Sequence, residues 1–370
     1  MAGFFKKMFG GNDTSVIGVD FGSSSVKVVQ LRDQGGKAVL ETYGSLALGP
    51  FANLPVGKAT DLPTEKRIEA LMTIIREARV TSQDAGFAIP FSSSLVSLIK
   101  MPELDEKELA RMVPIEARKY IPVPISEVVF DWWIVPRDTI ESRDYTDEEK
   151  RVIEHKVDVL IVAIHNETIE EYRTLITESG LTSRFLEIEI FSAVRATLTE
   201  SINPLMVMDL GAATSKIYIV EQGVVRSSHI VNRGGQDITT AISQSLGVNL
   251  ERAEELKREF GIHKGETTAS MREVVSTTLH YIFNEAERIR RAYEAENKKP
   301  IERAVLIGGG SALKGIMGFG KEILHTQISI ADPFSKVTAP AFVRGVLQNA
   351  GPEFAVSLGI ALRQLQELRR

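Results

Sequence analysis

The sequence predicts an α/β protein built from two duplicated halves, with a further α/β subdomain inserted into the first. Three observations carry this reading. The chain has 370 residues, too many for one compact core and suited to two domains or more. A segment from Val16 to Leu31 (VIGVDFGSSSVKVVQL) returns from Leu205 to Val220 (LMVMDLGAATSKIYIV), with Asp, Gly and Lys at the same offsets. The copies stand 189 residues apart, which fits a duplicated domain and not a solenoid.

Composition narrows the function classes. With 43% hydrophobic and 25% charged residues, the chain is an ordinary soluble globular protein. It has no cysteine, which removes disulfides, thiol nucleophiles and Cys-ligated metal sites and fits a reducing compartment. A net charge of −5 gives no global attraction to nucleic acid. No apolar run approaches the roughly 20 residues needed to span a bilayer. Phe4-Phe5-Lys6-Lys7-Met8-Phe9 is too short for a signal-peptide core. It reads as a frayed tail before the first strand, with a weak membrane-surface or partner hook as the alternative.

Each copy of the repeat reads as strand, tight turn of small residues, strand. Gly22 and Gly211, with Ala212 beside the second, let backbone N–H groups come close to an anion. Ser23, Ser24, Ser25 and Thr214 add hydroxyl donors. A lone carboxylate at the end of each strand repels phosphate unless a cation lies between. Asp20 and Asp209 therefore point to Mg²⁺ held through water. Lys27, and Lys216 at the same offset in the second copy, can pair with phosphate oxygens. One such turn is an ordinary hairpin; two in register point to a phosphate-bearing ligand.

A third cluster, Gly308-Gly309-Gly310-Ser311, ends an apolar strand and opens a helix. Consecutive glycines allow a flat group such as a purine to lie against the backbone; alone, the cluster would read as a strand-to-helix turn without a ligand. A P-loop, a dinucleotide fingerprint, a His-x-x-x-His pair and a Gly-x-Ser-x-Gly elbow are all missing from the sequence.

Two phosphate hairpins followed by a Gly-Gly-Gly loop resemble the actin, Hsp70 and sugar-kinase superfamily, over nearly the whole chain. The resemblance implies an actin-like (ribonuclease H-like) duplicated two-domain fold closing on ATP and Mg²⁺. It implies phosphate motifs at Asp20 to Lys27 and Asp209 to Lys216, and an adenosine motif at Gly308 to Gly310. The run Glu187 to Ala196 resembles the first connecting helix, where relatives place Glu or Gln to orient the attacking water. Glu189 is the better match, against the plain alternative of a solvated helix-start carboxylate favoured by the dipole. Pro352 to Gly359 resembles the second connecting helix, where Gly allows close packing between domains. Gly234 and Gly235 resemble the segment before the mobile subdomain. Glu254, Lys257 and Arg258 resemble residues flanking ribose and adenine, although the same stretch reads equally as a charged amphipathic helix.

The stretch between the first hairpin and Glu189 separates the family members. It reads as strands over 87–102, a helix from Glu106 to Tyr120, the corner Ile121-Pro-Val-Pro124, a strand from Val128 to Val135, a charged tip over 137–156, a strand from Val157 to Ala163 and a helix from Glu167 to Ser179. Pro114 is expected to start the second part of a broken helix. Trp132 and Trp133 alternate across a strand, one toward core and one partly exposed. The charged tip reads as a solvated hairpin end. This insert is similar to the FtsA-type subdomain, and the run Glu116 to Asp131 is closer still to the PilM family of type IV pilus assembly.

The resulting organisation is a first subdomain over 1–84, 185–203 and 339–370, an FtsA-type insert over 85–184, a third subdomain over 204–244 and 301–338, and a helical fourth over 245–300. The resemblance implies an ATP-binding cytoplasmic scaffold at the inner face of the membrane, with at most slow ATPase activity. It docks the cytoplasmic N-terminal tail of a PilN-like inner-membrane protein, touches the membrane only through that partner, and has self-association open to it. An FtsA-like division filament is the structural rival, and a small-molecule kinase, for which no substrate motif is found, the enzymatic one.

Overall fold

The computed structural model describes residues 14–135, 156–198, 203–263 and 269–369. The charged tip over 137–156, save Lys156 itself, and the segment 4–9 lie outside these residues.

The first sheet contains β1 (Ser15–Phe21), β2 (Ser25–Gln34), β3 (Lys37–Ala47), β4 (Asp84–Ile89) and β8 (Thr182–Ile188), in the order β3-β2-β1-β4-β8. The second contains β9 (Leu205–Leu210), β10 (Ser215–Glu221), β11 (Val224–Val231), β12 (Arg303–Ile307) and β13 (Gln327–Ile330), in the order β11-β10-β9-β12-β13. The two sheets have one topology: β1 pairs antiparallel with β2 and parallel with β4, as β9 does with β10 and β12. β1 and β9 are central strands covered on both faces, which is why they read as continuous apolar runs. A third, antiparallel sheet joins β5 (Ser94–Pro102), β7 (Lys156–His165) and β6 (Val128–Val135), in the order β5-β7-β6.

Helices α1 (Thr64–Glu77) and α3 (Asn166–Glu178) cover one face of the first sheet, where Leu71, Ile74, Tyr172 and Leu175 pack on Ile17, Val19 and Val28. On the second sheet, α5 (Gly235–Leu246), α6 (Leu250–Phe260), α7 (Ala269–Asn297) and α8 (Ile316–Ile323) cover the face of Met206, Met208 and Ile217. The remaining faces meet on α4 (Glu189–Thr197) and α10 (Ala355–Leu368), the latter preceded by α9 (Arg344–Ala350). There Val16 and Leu31 of one half share a core with Val207, Tyr218 and Val305 of the other. The connecting helices thus form the floor between the halves.

The inserted layer is smaller than the sequence reading of 85–184. β4 and β8 are rungs of the first sheet, and α3 buries Tyr172 and Leu175 in the first-half core. The insert proper is therefore β5 to β7 with α2 (Glu106–Ala117). Likewise α5, packed on α6 and α7, brings the helical layer in ahead of residue 245. Helix α2 runs through Pro114 unbroken. A capping box between Asp105 and Glu108 fixes its start, and Leu109, Val113 and Ala117 bury one stripe on the insert sheet, offsetting the hydrogen bond that Pro114 cannot donate. Trp132 packs in that same core, while Trp133 lies 5.8 Å from the Phe191 ring of α4.

Candidate functional site

The two hairpins are built alike. Gly22 N–H donates to the Ser25 carbonyl at 2.9 Å, and Gly211 N–H donates to that of Thr214 at 3.1 Å. Strand register sets Asp20 opposite Lys27 and Asp209 opposite Lys216. The turns face each other across the floor: Ala213 N–H donates to Ser23 Oγ at 3.2 Å.

Their charges are compensated differently. Lys27 Nζ stands 4.0 Å from Asp20 Oδ2. Lys216 Nζ is 2.8 Å from Glu189 Oε2 and 3.3 Å from Asp209 Oδ2. Asp20, Asp209 and Glu189 are all buried. Burial pushes the Asp20 carboxyl up to about 6, with Lys27 opposing the shift. Burial also works against the charge of Lys216, but Glu189 and Asp209 outweigh it and hold the ammonium above the usual lysine range. Against these three carboxylates stand two lysines, so the cleft lacks positive charge for a polyphosphate.

That donor set fits Mg²⁺, which takes oxygen ligands from one or two carboxylates plus water and phosphate. Among the described residues no group of three or more acidic or histidine side chains could hold a metal ion unaided. A cation here needs the ligand's own oxygens.

Glu189 opens α4, as a first-turn carboxylate should, but it is not solvated. Its Oε1 accepts Phe91 N–H at 2.6 Å while Oε2 accepts Lys216. The neighbouring Glu187, which the sequence reading passed over, binds Arg195 and Arg363 and accepts from Ser192 Oγ at 2.5 Å. Burial would raise its pKa; the two guanidinium groups and Ser192 hold it below the usual carboxylate range. This network ties β8 and α4 to α10.

Gly234 and Gly235 stack the start of α5 on the second hairpin. Gly235 N–H and Gln236 N–H donate to the Gly211 and Ala212 carbonyls, each at 2.9 Å. A methyl group on Gly234 would stand 2.4 Å from the Ala212 oxygen. Glu254 and Lys257 reach the same corner: Thr239 Oγ1 donates to Glu254 at 2.6 Å, and Lys257 Nζ donates to the Gly235 carbonyl at 3.1 Å. Burial lowers the Lys257 pKa, with Glu254 opposing. Arg258 instead lies largely in solvent, held by Glu254 at 2.8 Å. Gln236, absent from the sequence reading, accepts Ala59 N–H at 2.8 Å and bridges the two halves; its position beside the glycine pair was the available signal.

The third glycine cluster has two different duties. Gly308 takes a φ of +78°, and a methyl group there would meet Asp209 Oδ1 at 2.4 Å. One on Gly310 would meet Leu210 Cβ at 2.8 Å. Both glycines therefore answer to protein contact. Gly309 is open, with only Glu353 near its α-carbon. Ser311 is buried under the loop, its hydroxyl donating to the Gly308 carbonyl at 2.7 Å.

Duplicated sheets facing one another over two connecting helices, with paired Asp–Lys hairpins in between, define an actin-like fold. The fold matches MreB5 of Spiroplasma citri bound to AMPPNP with a TM-score of 0.51 at 12% identity, covering 96% of this chain and 97% of that one. A solved PilM–PilN type IV pilus biogenesis complex matches at a TM-score of 0.77 and 24% identity, covering 95% and 98%. The family described as type IV pilus assembly protein PilM matches residues 18–365, and the chain belongs to that family. Cell division protein FtsA of Bacillus subtilis (strain 168) is 20% identical over 379 residues, covering 90% of this chain and 82% of its own. FtsA of Pseudomonas aeruginosa is 23% identical over 392 residues, covering 95% and 89%.

Proposed function

We propose that the chain binds Mg-ATP between its two hairpins and serves pilus assembly as a scaffold, docking the cytoplasmic N-terminal tail of a PilN-like inner-membrane protein. The observation carrying the nucleotide part is the repeated Asp–Lys pair on facing hairpins. Asp20 and Asp209 would hold the ion through water, the ion supplying the positive charge the cleft lacks. Backbone and hydroxyl groups of Gly22 to Ser25 and Gly211 to Thr214 would take the phosphates with Lys27. The Glu254–Lys257 corner and Gly309 would border the nucleoside. Both Glu189 oxygens are already engaged, by Phe91 N–H and Lys216, so a water would have to share one of them; this favours slow turnover.

The partner part draws on the likeness to the PilM–PilN complex and on the insert. Its sheet rests on α4 through Trp133 and Phe191, and on that same face of β6 Val129 and Trp133 keep exposed apolar surface. A fixed, apolar surface of this kind suits a short extended peptide, because pre-organisation lowers the ordering cost of binding. No described helix is long and apolar enough to cross a membrane, so a place at the inner face of the cytoplasmic membrane would come through the partner. Calorimetry with Mg-ATP and with a peptide copying the partner's tail tests both parts: saturable binding of each is expected, and no heat from either ligand overturns the reading. FtsA relatives spanning most of the chain favour a second reading, a filament. Nucleotide-dependent sedimentation of polymer without peptide binding would establish that instead.

A further inference from the structure

We propose that Glu189 is a positioning residue that couples phosphate binding in the cleft to the shape of the insert's docking surface. The inference rests on the function proposed above. One carboxylate here touches three bodies. It belongs to α4, it accepts Lys216 Nζ from the second half, and it accepts the backbone N–H of Phe91. Phe91 opens the short 3-10 turn Phe91–Ser93 that leads into β5, the first strand of the insert.

A second contact follows the same line. Tyr218 lies two residues beyond Lys216 on β10, and its ring meets Phe91 edge-on at 6.2 Å. Its hydroxyl is fully buried with no hydrogen-bond partner. The entry of the insert is thus held to the second half by an ion-paired carboxylate and a ring contact. The insert sheet is held to α4 by Trp133 on Phe191. The gap between insert and α4 is therefore set where Glu189 stands.

Lys216 cannot serve two anions equally. It occupies in the second hairpin the place that Lys27 occupies in the first, beside the carboxylate at the cleft. An arriving polyphosphate competes with Glu189 for the ammonium. A buried carboxylate stripped of its cation is strongly disfavoured, so Glu189 swings away toward other donors. That movement weakens its charge-assisted bond to Phe91 N–H. The insert entry loosens, and the pre-ordered docking surface loses affinity for its peptide. By linkage the peptide must weaken nucleotide binding by the same factor.

Calorimetry on the full chain tests this with Mg-AMPPNP and the partner-tail peptide, each titrated alone and against saturating amounts of the other. In the wild type, nucleotide is expected to raise the peptide Kd about five- to tenfold, the low end of the range typical of coupled sites, and peptide to raise the nucleotide Kd equally. In Glu189→Gln, which has no charge to strand when Lys216 leaves, that ratio should fall to within about twofold of one, whatever the absolute affinities. A purely structural role would shift both affinities and leave the ratio. Amide exchange at Phe91 gives a readout in the wild type alone: faster exchange with Mg-AMPPNP is expected. Two bound ligands with a coupling ratio of one, coupling undiminished in Glu189→Gln, or Phe91 exchange unmoved by nucleotide would each overturn the inference while the proposed function stands. Absence of binding by either ligand would instead remove the function itself.

Discussion

Gly359 of α10 lies so close to α4 that a methyl group on its α-carbon would stand 2.0 Å from the Ser192 carbonyl oxygen. The contact is backbone against backbone, with no flexible side chain to move aside. It is the crossing point of the two connecting helices and therefore of the two halves.

Gly359→Ala should push α10 off α4 and destabilise the protein by on the order of 3 kcal/mol, the upper range for overpacking. Gly345→Ala is the control. Gly345 lies in α9, and a methyl group on its α-carbon would have no neighbouring atom within 4 Å. Replacing a helical glycine there should add about 0.5–1 kcal/mol. Urea unfolding of the two variants side by side measures both signs.

Asp20→Asn should stabilise the ligand-free protein while impairing nucleotide binding. The folded-state pKa of about 6 lies above the ordinary value of 3.8, so the folded form holds a proton that the unfolded chain has already lost. The penalty is absent below the ordinary value, grows as pH rises toward 6, and is complete above it. The gain in Asn should be largest at pH 8, on the order of 2–3 kcal/mol, and should shrink as pH falls below 6. Denaturant midpoints at pH 5 and pH 8, beside Mg-ATP titrations, check it; equal gains at both pH values would contradict the assignment.

Glu187→Ala should cost about 3 kcal/mol, the low end for breaking a buried ion pair. The substitution leaves Arg195 and Arg363 without their shared carboxylate. Because the network joins β8, α4 and α10, loss of stability should come without loss of either hairpin's geometry. Thermal melts with and without Mg-ATP separate the two: the melting point should fall, and the nucleotide-induced shift should persist.

Gly308→Ala and Gly309→Ala should part company. The first forces a methyl group against Asp209 in a left-handed backbone and should destabilise by at least about 1 kcal/mol. The second meets only open space near Glu353 and should fold normally. If the nucleoside borders Gly309, that variant should nevertheless bind Mg-ATP several-fold more weakly, as read by calorimetry.

The sequence displays the hairpins, the glycine at the helix crossing and the insert because each is a local pattern. A repeated Asp-x-Gly with its lysine fixes strand register by itself, and Gly359 falls where a helix must be approached closely. The insert's limits are less visible: β4 is an apolar run like β5, and only pairing with β1 assigns it to the first sheet. α3 likewise belongs to the first half through Tyr172 and Leu175, whose partners are strands far away in the chain. The burial of Glu189 and the arginines of Glu187 are illegible for the same reason. Arg363 lies 176 residues from its carboxylate, and the donor to Glu189 Oε1 is a backbone N–H that no residue type announces. Pro114 misleads because helix-breaking is a local tendency, overridden here by packing on the insert sheet.

The insert sheet is apolar on both sides, with Val159 and Ile161 turned toward α2 and Leu160 and Val162 toward the first half. It behaves as a shared wall more than as a clip-on module. Cutting it out would strip cover from Phe91, Ile188 and Val194, and a trimmed chain would stick to any bait through that bared strip. Truncation is therefore a poor tool for mapping the partner. A single exchange on the outer rim at Val129, which is exposed beside Trp133 on the same face of β6, leaves the wall standing and reports on docking alone.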